Sequence, residues 1–340
     1  MAPTILRIGK LRDTLEEWEK LGSKYTLLEY TSGTREEFLA NCRNGVYDSV
    51  AGCYRSNNST SLTGRFDTEL VEALPKSWKY VAHNGAGYDT IDVDACSRRQ
   101  IAVSNTPVAV DDATADVGIF LMLGALRMAQ FSITAVRAGK WLGETPRGHD
   151  PKGKTLGILG MGGIGRATAH RARAFGMRII YHNRRRLDPS LEQGAEYVSF
   201  DDLLARSDVL SLNLALNAST RHIIGAPELA RAKPGVVVVN TARGAIIDEA
   251  ALVEALDSGR VSAVGLDVFE HEPKIHPGLI KNERAFILPH VGTYTVETSR
   301  DMELLVLKNL ETAVDEGKML TLVSEQKGLE WAPPAKEFDA

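Results

Sequence analysis

The sequence predicts an α/β protein of two doubly wound parallel-sheet domains with a cleft between them. Three observations predict it. Short apolar runs alternate with longer amphipathic ones, so the strands are joined by helix-length connections and run parallel. The series occurs twice, restarting after Lys152-Gly153-Lys154. A glycine-rich loop joins the first strand of the second series to a helix. At 340 residues the chain has room for about two domains.

In the first series Thr4–Ile8, Tyr25–Leu28, Ser49–Tyr54, Lys79–Ala82 and Ile101–Ser104 read as buried strands. Thr14–Leu21, Arg35–Asn41 and Val93–Arg99 read as helices between them. Asn105-Thr106-Pro107 reads as a hinge, because Pro fixes the backbone and ends the strand before it. From Asp111 to Arg137 the apolar residues go all the way round, which predicts one long buried helix crossing to the second domain. The second series has strands at Thr155–Leu159, Arg178–Tyr181, Val209–Asn213, Val236–Val239, Ala263–Leu266 and Ala285–Leu288. A last helix, Val296–Glu316, crosses back. That puts residues 1–106 and 296–340 in one domain and residues 107–295 in the other. Two crossings predict a cleft that closes on its ligands. The tail from Ser324 is polar, with Pro333-Pro334, and reads as loosely held.

Composition narrows the function classes. Hydrophobic residues make up 44% and charged residues 25%, which excludes a wholly disordered or collagen-like chain. A net charge of -4 leaves no surplus of Lys and Arg for nucleic acid. The longest uncharged apolar run, Val117–Leu126, falls short of the roughly 18 residues a membrane span needs. Cys42, Cys53 and Cys96 have no metal spacing, and an odd, sparse count with no leader-like start fits a reduced, cytoplasmic protein. Cys53 reads as a small core residue.

The glycine loop, Gly160-Met161-Gly162-Gly163-Ile164-Gly165, has the GxGxxG spacing of a Rossmann-like dinucleotide site. Gly160 permits the tight turn, Gly162 lets a pyrophosphate approach the backbone, and Gly165 lets the helix pack on the strand. The helix N-terminus offers free N–H groups to the phosphates. An acid at the end of the next strand binds the ribose hydroxyls of NAD. Here that strand ends in Asn183-Arg184-Arg185-Arg186. Guanidinium groups pair with a 2′-phosphate, so the loop predicts NADP, with NAD as the weaker alternative.

Three further segments place titratable residues just beyond strand ends, where open parallel sheets bind ligands. They are Asn240-Thr241-Ala242-Arg243-Gly244, the run Asp267-Val268-Phe269-Glu270-His271-Glu272-Pro273, and Pro289-His290-Val291-Gly292. Singly, an arginine, an acid or a histidine there is an ordinary surface or packed residue. Their joint placement on successive strand ends of one nucleotide-binding sheet is more than accident supplies.

In this order the motifs resemble the D-isomer-specific 2-hydroxyacid dehydrogenase family, over residues from about Val46 to Val323. Within that family the chain most resembles the glyoxylate/hydroxypyruvate reductases and the fungal D-mandelate dehydrogenases. The resemblance implies a flavodoxin-like substrate domain and NADPH-dependent reduction of a 2-oxo acid to the D-2-hydroxy acid. His290 would be the acid that protonates the 2-oxo oxygen, a task suited to an imidazole. Glu272 would orient that ring, and Arg243 would hold the substrate carboxylate and polarise the ketone. The His83-Asn84-Gly85-Ala86-Gly87-Tyr88-Asp89 loop resembles the family's carboxylate loop, with the backbone of Ala86 and Gly87 open to an anion. Tyr54, Arg55 and Tyr88 are expected in loops lining the substrate pocket. The cofactor would meet Gly160, Gly162, Gly163, Ile164, Gly165, Asn183, Arg184, Arg185, Thr114, Thr241, Ala242 and Gly292, with Asp267 facing the nicotinamide carboxamide. Three departures stand out: Asn183, where many relatives carry Asp; Gly163, where relatives often carry a longer side chain; and Asn213-Leu214-Ala215-Leu216-Asn217, which weakens the adenine-side match.

Other readings are a D-mandelate-type enzyme for aromatic 2-oxo acids, and a dinucleotide-sensing, corepressor-like binding protein. His271-Glu272-Pro273-Lys274-Ile275-His276 is no zinc motif, since its second His comes one residue late and Pro273 breaks the helix. No metal is expected. Trp141 is open to two readings: a homodimer contact, by resemblance, or local packing.

Overall fold

The computed structural model describes residues 2–334. The chain divides into two compact units, Met1–Val110 with Thr295–Ala340, and Asp111–Tyr294.

The first unit holds a five-stranded parallel sheet. Its strands are β1 (Thr4–Ile8), β2 (Thr26–Tyr30), β3 (Val50–Ser56), β4 (Tyr80–Asn84) and β5 (Ala102–Ser104), in the order β2-β1-β3-β4-β5. That is the flavodoxin-like winding. β1 is buried throughout, as a central strand covered on both faces must be, whereas in the edge strand β2 only Tyr30 is buried. The Val296–Glu316 helix packs on β3 and β4 of this sheet.

The second unit holds seven parallel strands. These are β6 (Thr155–Leu159), β7 (Arg178–His182), β8 (Glu196–Tyr197), β9 (Val209–Leu212), β10 (Val236–Asn240), β11 (Val261–Leu266) and β12 (Ala285–Ile287). The order β12-β11-β10-β9-β6-β7-β8 reverses between β6 and β9, the switch point where such sheets bind ligands. Both sheets are α/β and parallel, as the alternating pattern predicts. The two-residue strand β8 was not legible, being too short to show a pattern.

Three expectations are corrected. The stretch from Asp111 to Arg137 is two helices, Asp111–Leu126 and Ala129–Arg137, bent by 75°. Met128 takes the left-handed conformation at φ +52° between them. Only the first helix is enveloped by apolar neighbours; the second has no buried residue. Small residues let the first helix lie flat on the sheet: a Cβ on Gly265 would come within 2.7 Å of the Leu121 carbonyl. The tail is not loose where it begins. Gln326 is fully buried, accepts from the Val103 N–H at 2.8 Å and donates to the Ile101 carbonyl. Residues 335–340 lie outside the described residues. Trp141 is 89% exposed, so it is not packed locally. Cys53 is a core residue, and burial pushes its thiol up.

Candidate active site

The cofactor loop is built from the carboxyl end of β6. Gly160 sits at φ +97°, and a Cβ there would strike the Asn213 carbonyl at 2.6 Å. A Cβ on Gly165 would meet the Gly160 carbonyl at 2.4 Å, so the Gly163–Ala174 helix approaches the loop as closely as only glycine allows. Gly162 is exposed and faces open space. The first N–H groups of the helix, at Gly163 and Ile164, have no carbonyl before them to bond. An open glycine followed by unbonded N–H groups fits a pyrophosphate. At the end of β7, Asn183 turns its Oδ1 to the Met161 N–H at 2.7 Å and so braces the loop. Arg184 and Arg185 are exposed. Arg186 is engaged elsewhere, held by both oxygens of Glu192.

The three downstream segments are stitched to one another. Asn240, fully buried at the end of β10, accepts from the Ala242 N–H and donates to the Arg243 carbonyl, which shapes the Thr241–Arg243 turn. Its own carbonyl accepts from the Asp267 N–H. Gly244 admits the next segment: a Cβ there would overlap the Phe269 carbonyl carbon at 1.8 Å. Asp267 is fully buried, and its two oxygens accept from the Val291 and Gly292 N–H groups at 2.8 Å each. Its carbonyl accepts from the His290 N–H. Burial raises the Asp267 carboxyl above its ordinary range, against the pull of those two N–H groups. These bonds hold His290 at φ +56°, a conformation that costs a histidine about 1 kcal/mol or more.

His290 Nδ1 lies 2.8 Å from Glu272 Oε2, and Glu272 Oε1 accepts from the Phe269 N–H at 2.9 Å. Burial pushes the Glu272 carboxyl up, but the hydrogen bond and charge of His290, with Arg243 behind them, outweigh it and hold Glu272 below its ordinary value. With Nδ1 turned to the carboxylate, Nε2 is the ring atom left for proton exchange. Thr114, on the Asp111–Leu126 helix, lies beside Gly292. Among the described residues no group of three or more His, Cys, Asp or Glu could hold a metal ion.

In the first unit, the loop after β4 is pinned through its carbonyls. Thr106 N–H donates to the Gly85 carbonyl, Asn105 Nδ2 to that of Ala86, and His83 Nε2 meets that of Gly87 at 3.1 Å. The Gly85 N–H is held by Thr106 Oγ1.

A model of the D-isomer-specific 2-hydroxyacid dehydrogenase NAD-binding domain matches residues 119–292, which carry the glycine loop and all three segments. The chain belongs to this family. It is 63% identical to 4-methyl-2-oxopentanoate reductase A of Aspergillus oryzae, covering 96% of this chain and 99% of that one. The crystal structure of a glyoxylate reductase from Paecilomyes thermophila superposes with a TM-score of 0.95 at 64% identity, over 96% and 99% of the two chains. Rhodotorula graminis D-mandelate dehydrogenase in its holo form gives 0.90 at 30%, over 98% and 99%. An NADPH-dependent glyoxylate/hydroxypyruvate reductase of Sinorhizobium meliloti, in complex with NADP and malonate, gives 0.84 at 32%, over 96% and 98%. The protein is thus an NAD(P)-dependent oxidoreductase.

Against this frame the structure of the dehydrogenase revises several site expectations. Tyr54 and Arg55 are not loop residues; they lie on β3, and their side chains are 1% and 0% exposed. Tyr54 packs in the core and accepts from Asn84 Nδ2, so it has no surface for a substrate. Arg55 lies over the Phe66 ring, and its Nη1 meets His83 Nδ1 at 3.3 Å; burial pushes its guanidinium down to about 10. It supports the loop after β4 from beneath, through His83. Tyr88 gives its hydroxyl to Glu325 rather than to a pocket. Asp267 is fully buried, and its two oxygens accept from the Val291 and Gly292 N–H groups. The N–H of Gly292 is spent on the same carboxylate. Asn240 and Gly244 were legible only as part of a motif; their roles as clamp and gap need the folded turn.

Asp267→Asn tests the clamp. An amide NH2 would face the Val291 or Gly292 N–H, leaving a buried donor unpaired at a cost of roughly 1–3 kcal/mol. The urea midpoint of the variant is expected to fall accordingly, and an unchanged midpoint would contradict the clamp.

Proposed function

We propose that this dehydrogenase uses NADPH to reduce a small 2-oxo acid of the glyoxylate or hydroxypyruvate type to its D-2-hydroxy acid. The observation that carries the reading is the His290–Glu272 pair held beside Arg243 on neighbouring strand ends. When bound, the nicotinamide dinucleotide supplies the hydride. Gly162, Gly163 and Ile164 would hold its pyrophosphate, and Thr114, Thr241 and Ala242 line the same sheet edge. Arg243 binds the substrate carboxylate and draws electron density from the ketone. His290 delivers a proton from Nε2 to the 2-oxo oxygen and recovers it in the reverse direction. Glu272 fixes the ring and stabilises its protonated form. In the first unit, the backbone of Ala86 and Gly87 is a candidate anion contact.

NADPH is preferred in this reading because Asn183 and not an acid follows β7, with Arg184 and Arg185 exposed and Arg186 already paired. Replacing Arg184 and Arg185 together by Ala is expected to raise the KM for NADPH by roughly 10–100-fold, on the scale of one or two charge-assisted hydrogen bonds, and that for NADH by less than about twofold. Equal effects on both would remove the arginine reading and leave the pair a solvated loop.

The substrate is tested by initial rates with NADPH and NADH against glyoxylate, hydroxypyruvate, 4-methyl-2-oxopentanoate and phenylglyoxylate. Highest kcat/KM on the two small acids supports the proposal. A preference for 4-methyl-2-oxopentanoate, the acid named for the Aspergillus oryzae relative, would keep the mechanism and enlarge the pocket. A preference for phenylglyoxylate would move the enzyme to the mandelate type. The exposed Val136, Trp141 and Leu142 support a homodimer, with these apolar side chains in the contact.

A further inference from the structure

The departure at Gly163 has a counterpart on a neighbouring helix. A Cβ built on Gly163 would lie 1.9 Å from Asp111 Oδ2 and 2.5 Å from its Cγ. The Asp111 carboxylate therefore fills the space that any side chain at 163 would need. Asp111 opens the Asp111–Leu126 helix and Gly163 opens the helix that follows the cofactor loop; the two helices pack together. The acid thus stands at the edge of the phosphate cradle, one residue from the open Gly162.

Its neighbours compensate it only in part. Asp112 and Asp116, on the same helix, both pair with Arg171, and Asp111 does not. Among charged groups, Arg166 on the facing helix draws its proton off and Asp112 opposes that. Strands β10, β11 and β12 also pack on the helix. Of the charged groups at their ends, Asp267 is committed to the 291–292 backbone and Arg243 and His290 to the Glu272 side. Burial is the largest influence on Asp111 and raises its carboxyl above the ordinary range.

We propose that Asp111 is a proton-linked gate on dinucleotide binding: ionised, it opposes the pyrophosphate at the glycine loop, and protonated, it admits the phosphate and can donate a hydrogen bond to it. Two anions held a few ångströms apart with little water between them repel, and taking up one proton relieves the repulsion. Binding then consumes a proton. Affinity falls by up to about tenfold per pH unit between the Asp111 pKa of the free enzyme and the higher one of the complex. The gate rests on the dinucleotide reading of the loop.

The test is fluorescence titration of NADPH across about pH 6 to 8, with the wild type, Asp111→Asn, Asp111→Ser and the control Asp112→Asn. NADH is titrated in parallel, because it lacks the 2′-phosphate, which itself titrates near pH 6. For the wild type and Asp112→Asn, Kd is expected to rise with pH for both dinucleotides, and a wild-type Kd that is flat across this range would overturn the gate. For the two Asp111 variants it should stay within about twofold and be the tighter at the alkaline end. A wild-type slope in Asp111→Asn or Asp111→Ser, or a slope equally lost in Asp112→Asn, would overturn the gate. If the wild type binds neither dinucleotide at any pH, the reading of the loop fails and the gate with it.

Discussion

His290→Asn lowers kcat for 2-oxo acid reduction by roughly 10²–10⁴-fold, the range expected when a positioned general acid is removed, and leaves the Kd for NADPH unchanged. Asn is the informative replacement because His290 sits at φ +56°, where asparagine is among the most tolerated side chains. The Asp267 clamp on the 290–292 backbone is kept, so loss of activity reports the imidazole and not a misplaced loop. Glu272 keeps its Phe269 N–H partner and remains partly solvated, so no buried charge is stranded. Glu272→Gln separates proton supply from ring positioning. The amide can still hold the ring but no longer stabilises its protonated form. The kcat of Glu272→Gln is therefore expected to fall, but by less than in His290→Asn. The Glu272 carboxyl is held below its ordinary value, so the stabilisation it gives the pair is present above the ordinary carboxylate range. It is lost as pH falls through the lowered value. Steady-state rates over pH with both variants check this. An Asn variant within about tenfold of wild type would remove His290 as the acid.

Much of this site is legible in sequence because its parts are local. A short run of β-branched residues such as Val236–Val239 favours a strand covered on both faces, and a glycine at each required spacing announces the cofactor turn. What is not legible depends on contacts distant in sequence or on conformations that carry no sequence mark. Met128 breaks a helix through a left-handed backbone with neither Gly nor Pro to signal it. Arg186 reads as one of three equivalent cations until Glu192 folds back onto it. Arg55 reads as the first residue beyond a strand that ends at Tyr54, yet β3 continues to Ser56 and buries both. Asp267 sits at a strand end, where exposure is the default, and is turned inward by two N–H groups from the following segment. The meeting of Asp111 with Gly163 depends on the packing of two helices that no spacing rule connects.

Arg243→Ala is expected to reduce kcat/KM by roughly 10³-fold or more, while NADPH still binds. Two effects combine. The substrate carboxylate loses a guanidinium that binds it in a fixed, bidentate geometry, which raises KM. The ketone loses the positive charge that favours the developing alkoxide, a donor of the kind worth about 10²–10³ in kcat. Arg243→Lys separates them. A lysine restores the charge without the planar fork, so binding should recover more than turnover. The turn itself is expected to survive in both variants, because Asn240 clamps it through the Ala242 N–H and the Arg243 carbonyl, both backbone groups. A further consequence follows for Glu272. Arg243 contributes to holding that carboxyl low, so its removal should move the acid limb of the rate profile to higher pH. Stopped-flow single turnovers with NADPH pre-bound separate the binding and chemical contributions. Unchanged turnover in Arg243→Ala would sink the assignment, because no other cation lies on the three strand-end segments that carry Glu272 and His290 apart from His271, whose ring cannot supply a bidentate fork.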